Sequence, residues 1–150
     1  MDRPYLSPEE LRGLAAERRF LELIQSGNES LPSWILGGRL APPLYDAQGV
    51  DCLVTIERPD SSTVTVPVQI KSSHGHAIEH LIQNPSHWFW RVIIIIVNDE
   101  LTDEELAKQL TGELRHARLR HYNFEELFAT IECNPEPPIW YLSILAGRHL

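Results

Sequence analysis

Two stretches in the middle of the chain alternate apolar with other residues: Gly49-Val50-Asp51-Cys52-Leu53-Val54-Thr55-Ile56 and Val64-Thr65-Val66-Pro67-Val68-Gln69-Ile70-Lys71. Arg58, Pro59, Asp60, Ser61 and Ser62 between them supply turn chemistry, so the pair predicts a β-hairpin. Val50, Cys52, Val54 and Ile56 share one face of the first arm, and Val64, Val66, Val68 and Ile70 share one face of the second. Antiparallel pairing then gathers Asp51, Gln69 and Lys71 on one side of the sheet.

Upstream, Ser7-Pro8-Glu9-Glu10 combines a Ser cap, Pro at the first helical position and Glu three residues after the cap. It predicts a helix over 8–25 that stops at Gly27-Asn28. Leu14, Phe20, Leu21 and Ile24 fall in one wide apolar stripe, with Glu17 in its middle. A carboxylate there is costly unless it is paired, for example with Arg18, or hydrogen-bonded or bound to a metal.

Residues 26–49 are rich in Gly, Pro and Ser and predict a loop and one edge strand near Trp34-Ile35-Leu36 or Arg39-Leu40-Ala41, ending at Pro42-Pro43. Tyr45-Asp46-Ala47-Gln48-Gly49 reads as a polar turn, which Asp46 closes or from which it supports a neighbouring site. Beyond Lys71 come Ser72, Ser73, His74, Gly75 and His76, then a short helix over 77–83. His74, His76 and His80 lack the companion ligands of a recognised zinc spacing.

Trp90 to Val97 is apolar on both faces and predicts a central strand covered on both sides. Thr102-Asp103-Glu104-Glu105 is a capping box opening a helix to about residue 121, with a break expected at Thr111-Gly112. Its Arg115, His116, Arg118, Arg120 and His121 form a basic cluster, readable as a solvated helix end or as a phosphate contact. A further helix over 123–131 and a last strand near Ile139-Trp140-Tyr141-Leu142-Ser143-Ile144 complete the pattern.

The 150 residues suit one domain, 1–150, and 43% apolar with 23% charged residues is ordinary for a globular protein. The longest apolar run, Val92 to Val97, is too short to cross a bilayer and the N-terminus lacks a signal-peptide pattern, so a cytoplasmic location is expected. Two cysteines, Cys52 and Cys133, make no disulfide framework. A net charge of −8 argues against a non-specific nucleic-acid coat protein, although a bound cation would offset the acidic field at a site. The absence of a Gly-x-Ser-x-Gly turn weakens a hydrolase reading built on His74, His76 and Asp51.

The order helix with Glu17, strand, hairpin with Gly49-Val50-Asp51 and then Gln69-Ile70-Lys71-Ser72-Ser73, helix, buried strand resembles the PD-(D/E)XK nuclease superfamily. The likeness is to its Gln-x-Lys branches, including modified-DNA restriction nucleases, Holliday-junction resolvases and related prokaryotic domains. The resemblance implies an α/β fold of restriction-endonuclease-like type, a central mixed sheet flanked by helices in αβββαβ order. It implies a catalytic set of Glu17, Asp51, Gln69 and Lys71 that hydrolyses DNA phosphodiesters with Mg²⁺ or Mn²⁺. Asp51, Gln69, Glu17 and the Ile70 carbonyl would hold the cation, Lys71 would orient the attacking water, and Ser72, Ser73, His74 and His76 would contact substrate. The departure is Gln69, where most members carry a carboxylate. The alternative expectation is therefore a catalytically degenerate binding module acting as a nucleic-acid or protein partner subunit. Cutting two strands further implies a homodimer, with His87-Trp88-Phe89-Trp90 and Ile139-Trp140-Tyr141 as candidate surfaces.

Overall fold

The structure, a computed structural model, describes residues 7–27, 29–47, 49–84, 92–120, 122 and 124–133. Ser7 Oγ accepts from the Glu10 amide and opens helix α1 (Pro8–Gln25), which ends where Gly27 takes φ +66, a left-handed conformation that a residue without a Cβ adopts freely. Strand β1 (Ile35–Leu40) follows, then a short helix α2 (Pro43–Ala47), where a plain turn was expected. The hairpin forms as β2 (Cys52–Glu57) and β3 (Thr63–Lys71), paired from Cys52↔Val68 to Glu57↔Thr63. Helix α3 (His74–Gln83) starts three residues earlier than its apolar pattern suggests, because Ser73 caps it. Strand β4 (Ile93–Ile96), helix α4 (Asp103–Leu119) and helix α5 (Phe124–Cys133) are the last elements among the described residues.

The protein is thus α/β: the described residues form a four-stranded mixed sheet in the order β1-β2-β3-β4, antiparallel except for the parallel β3/β4 pair, flanked by helices. The α3 crossover between β3 and β4 is what a parallel pair requires. On one face Cys52, Val54, Ile56, Val66, Val68 and Ile95 pack against Phe20, Leu23 and Ile24 of α1 and Leu106, Leu110 and Leu114 of α4. A smaller cluster on Val50, Leu53 and Val92 takes Tyr45 of α2 and Leu127 and Ile131 of α5. Burial of these apolar groups, about 25 cal/mol per Å² of apolar surface, is the dominant stabilising contribution.

Several expectations are corrected. The buried stripe of α1 is turned toward Leu23, leaving Leu14 half exposed and Glu17 on the border of the stripe. Helix α4 runs unbroken through Thr111 and Gly112, with the Thr111 hydroxyl donating back to Ala107 O at 2.7 Å. Among the described residues of the basic cluster only Arg118 is built into the framework, its Nε donating to Glu57 O at 2.8 Å and its guanidinium lying 5.1 Å over the Trp34 ring, and Arg58 reaches the backbone carbonyl of Arg120; Arg115, His116 and Arg120 are exposed, as a solvated helix end requires. Glu57 is at the end of β2 remote from Asp51, so Arg118 serves packing at the far end of that strand from the acidic residues. The strand expected at 139–144, His121 and the aromatic run 87–90 lie outside the described residues.

Candidate metal centre

The turn after α2 brings the chain into β2 along a fixed path. The Tyr45 ring stacks on Phe128 of α5 at 5.2 Å, and its hydroxyl donates to Glu132; burial and that carboxylate push the phenol up to about 12. With α2 so anchored, Gly49 N donates to Asp46 O and Val50 N to Tyr45 O, both at 3.0 Å. Gly49 takes φ +86, which an L side chain rarely adopts, and this turn sets Asp51 at the head of β2.

Asp51 is held at both ends of its reach. Its amide donates to Val68 O at 3.0 Å, and its Oδ2 accepts from Ile70 N at 2.9 Å. Gln69 lies between these two partners, as the predicted antiparallel register requires. Glu17 approaches from α1 and Asp46 from α2, so that carboxylate oxygens of Glu17, Asp46 and Asp51 all lie within 4.8 Å of one another. The Glu17 partner is thus Asp51, not Arg18.

Carboxylates so close cannot all ionise cheaply. Burial, followed by the charges of Asp51 and Asp46, lifts the Glu17 carboxyl to about 7, and Glu17 hydrogen-bonds to Asp51. Burial lifts Asp51 to about 6, against the opposing pull of the Ile70 amide and the Lys71 ammonium. Next to them, burial pushes the Cys52 thiol up to about 12, which keeps it a neutral core group and not a thiolate ligand.

Whether these residues suit a cation is decided by the donor set and by Gln69. Three carboxylates are hard oxygen ligands of the kind Mg²⁺ and Mn²⁺ prefer. Gln69 is 5% exposed, and its Oε1 is buried with no hydrogen-bond partner among the described residues. An acceptor left in that state costs about 1–3 kcal/mol unless something binds it. The acidic group could hold a metal ion, and the neighbouring orphaned amide oxygen fits the same assignment.

Beside the carboxylates a cleft of about 380 Å³ opens between α1 and α3, lined by Arg12, Glu17, Ile70, Lys71, Ser72 and His76 among others. Of the four residues expected to contact substrate, Ser72 and His76 line this cleft, while Ser73 and His74 line a separate depression with Asn98 and Gln109. Asn98 Nδ2 donates to Ser72 O at 3.0 Å and Val97 N to Lys71 O at 2.8 Å, which fixes the end of β3 that carries Lys71.

Neither a protein-family model, nor a curated protein, nor a solved structure corresponds to this chain. The site's chemistry therefore carries the functional argument by itself. The residue that reading the sequence underrated is Asp46: Pro43 at a first helical position and an aromatic two residues on were the signals for α2, and α2 is what aims Asp46 at Asp51.

Proposed function

We propose that this protein is a Mg²⁺-dependent endonuclease that hydrolyses DNA phosphodiester bonds, a Gln-x-Lys variant of the PD-(D/E)XK type. The observation that carries the reading is the meeting of Glu17, Asp46 and Asp51, from three separate elements, next to a cleft lined by Ile70 and Lys71. Asp51, Glu17 and Asp46 would hold the cation, with the Gln69 amide oxygen and the Ile70 carbonyl as further oxygen donors. The cation, when bound, supplies Lewis-acid polarisation of the phosphoryl group and offsets its charge. Lys71 positions the attacking water and stabilises negative charge as it develops on the phosphate oxygens. Asp51, locked by the Ile70 amide, keeps its carboxylate where no reorganisation is needed.

Gln69 supports a second reading, a binding module that keeps this architecture without cutting, because a neutral amide is a weaker ligand than a carboxylate. Incubation of the purified protein with supercoiled plasmid and Mg²⁺ or Mn²⁺ separates the two. The nuclease reading expects cation-dependent nicking, lowered at least about a hundredfold in Lys71→Ala with an unchanged circular dichroism spectrum. Nicking that survives this substitution at full rate would reject the assignment.

A further inference from the structure

Immediately beyond Lys71 two serines hold a histidine in place. Ser73 Oγ accepts from the His76 amide at 3.1 Å as the N-cap of α3, which fixes the backbone of His76 in the first helical turn. Ser72 Oγ lies 3.0 Å from His76 Nδ1, which fixes one ring nitrogen. A serine hydroxyl both donates and accepts, so Ser72 can accept from Nδ1–H before and after the ring gives up a proton from Nε2. His76 Nε2 makes no hydrogen bond among the described residues. Both Ser72 and His76 line the cleft that holds Glu17 and Lys71. His74, on the same helix, faces the separate depression.

We infer that His76 is the general acid of the cleavage reaction, giving its Nε2 proton to the oxygen that leaves phosphorus; this rests on the nuclease reading above. A lone pair of the attacking water forms the new P–O bond, and that water releases a proton to solvent. The P–O bond to the leaving nucleoside breaks, its electron pair stays on the departing oxygen, and the His76 proton caps it. Imidazole then recovers a proton from solvent. An alkoxide is a poor leaving group near neutral pH, and a positioned acid typically contributes about 10²–10⁴-fold. Histidine is the side chain most often found in that role. Arg12 and Glu17 from α1, Lys71 from β3 and Glu79 and His80 from α3 also face the cleft. A readout tied to the leaving group therefore isolates His76 better than a pH profile alone.

The test compares two oligodeoxynucleotides under saturating Mn²⁺: one with an ordinary scissile linkage, one with sulfur in place of the leaving bridging oxygen. A thiolate departs without protonation. His76→Ala and His76→Gln should slow cleavage of the ordinary linkage at least about a hundredfold and leave the sulfur linkage within about fivefold of the unmodified protein. Ser72→Ala should fall between. His76 is exposed, so both variants keep the core intact. Equal slowing on both linkages, with the unmodified protein active, would overturn the role of His76 alone. An unmodified protein that cuts neither would overturn the nuclease reading and this inference together.

Discussion

Glu17 stands at the border of the α1 stripe, where packing alone would favour an apolar side chain, and its carboxyl faces two other acids. In the unfolded chain Glu17 and Asp51 titrate near 4.5 and 3.8; in the fold they keep their protons to about 7 and about 6. Between those values the folded protein binds more protons than the unfolded chain, so each rise in pH favours unfolding. The melting temperature of the metal-free protein should therefore fall by several degrees between about pH 5 and pH 8, and Mg²⁺ or Mn²⁺ should restore it. Glu17→Gln should flatten that pH dependence and raise the metal-free melting temperature at pH 8 while removing cleavage. Differential scanning calorimetry across pH, with and without the cation, measures both effects. A metal-free protein whose stability rises over this range would show that the carboxylates are not crowded as described. Such a trade of stability for chemistry is common at active sites. Asp51, Gln69 and Lys71 were legible in the sequence because strand alternation fixes which residues share a face. Glu17 was legible because a carboxylate beside Phe20 and Ile24 needs a partner. Asp46 was legible only as a turn residue or a support for a neighbouring site, since its place beside Asp51 depends on α2 leaning on Phe128 and Glu132, contacts that no local pattern encodes.

Among the elements, those with strong punctuation were readable. The Ser7 cap and Gly27 bounded α1 as predicted, and the Thr102/Glu105 capping box is formed in full at the start of α4. The start of α3 was missed because Gly75 and the polar residues around it resemble a loop, although Ser73 carries the capping signal. The continuity of α4 depends on Leu110 and Leu114 being fully buried against the sheet, which offsets the helix cost of Gly112, about 1 kcal/mol. A tertiary device guards both strands at the borders of the sheet. Gln109 of α4 mimics a fifth strand: its Oε1 accepts from Ile96 N and its Nε2 donates to Ile96 O, both at 2.8 Å. On β1, Gln25 Nε2 donates to Gly38 O at 3.2 Å. Both glutamines lie within helices that the sequence predicts, and nothing in the local pattern singles them out. Gln109→Ala should cost about 1–3 kcal/mol, since it strips two partners from a partly buried strand. Chemical denaturation measures that loss, and a midpoint unchanged by the substitution would deny the clamp its role.

At the scale of the molecule, charge and architecture divide the labour. The chain carries a net charge of −8, yet the cleft beside the carboxylates presents Arg12 and Lys71. The Arg118 guanidinium is spent on Glu57 and Trp34 at the other end of β2. Arg19 ties α1 to the start of α4 through Asn98 O at 2.7 Å and Asp103 at 3.2 Å, so the helix bearing Glu17 is braced against the segment that follows β4. No helix among the described residues is long and apolar enough to cross a membrane. The acids of α1, of α2 and at the head of β2 are brought to a common point by the packing of these layers. Crystals soaked in Mn²⁺ and measured at the manganese absorption edge test it directly. An anomalous peak among the carboxylates of Glu17, Asp46 and Asp51, lost in Asp51→Asn crystals, is the predicted result. A saturating soak that leaves this position without a peak would contradict it.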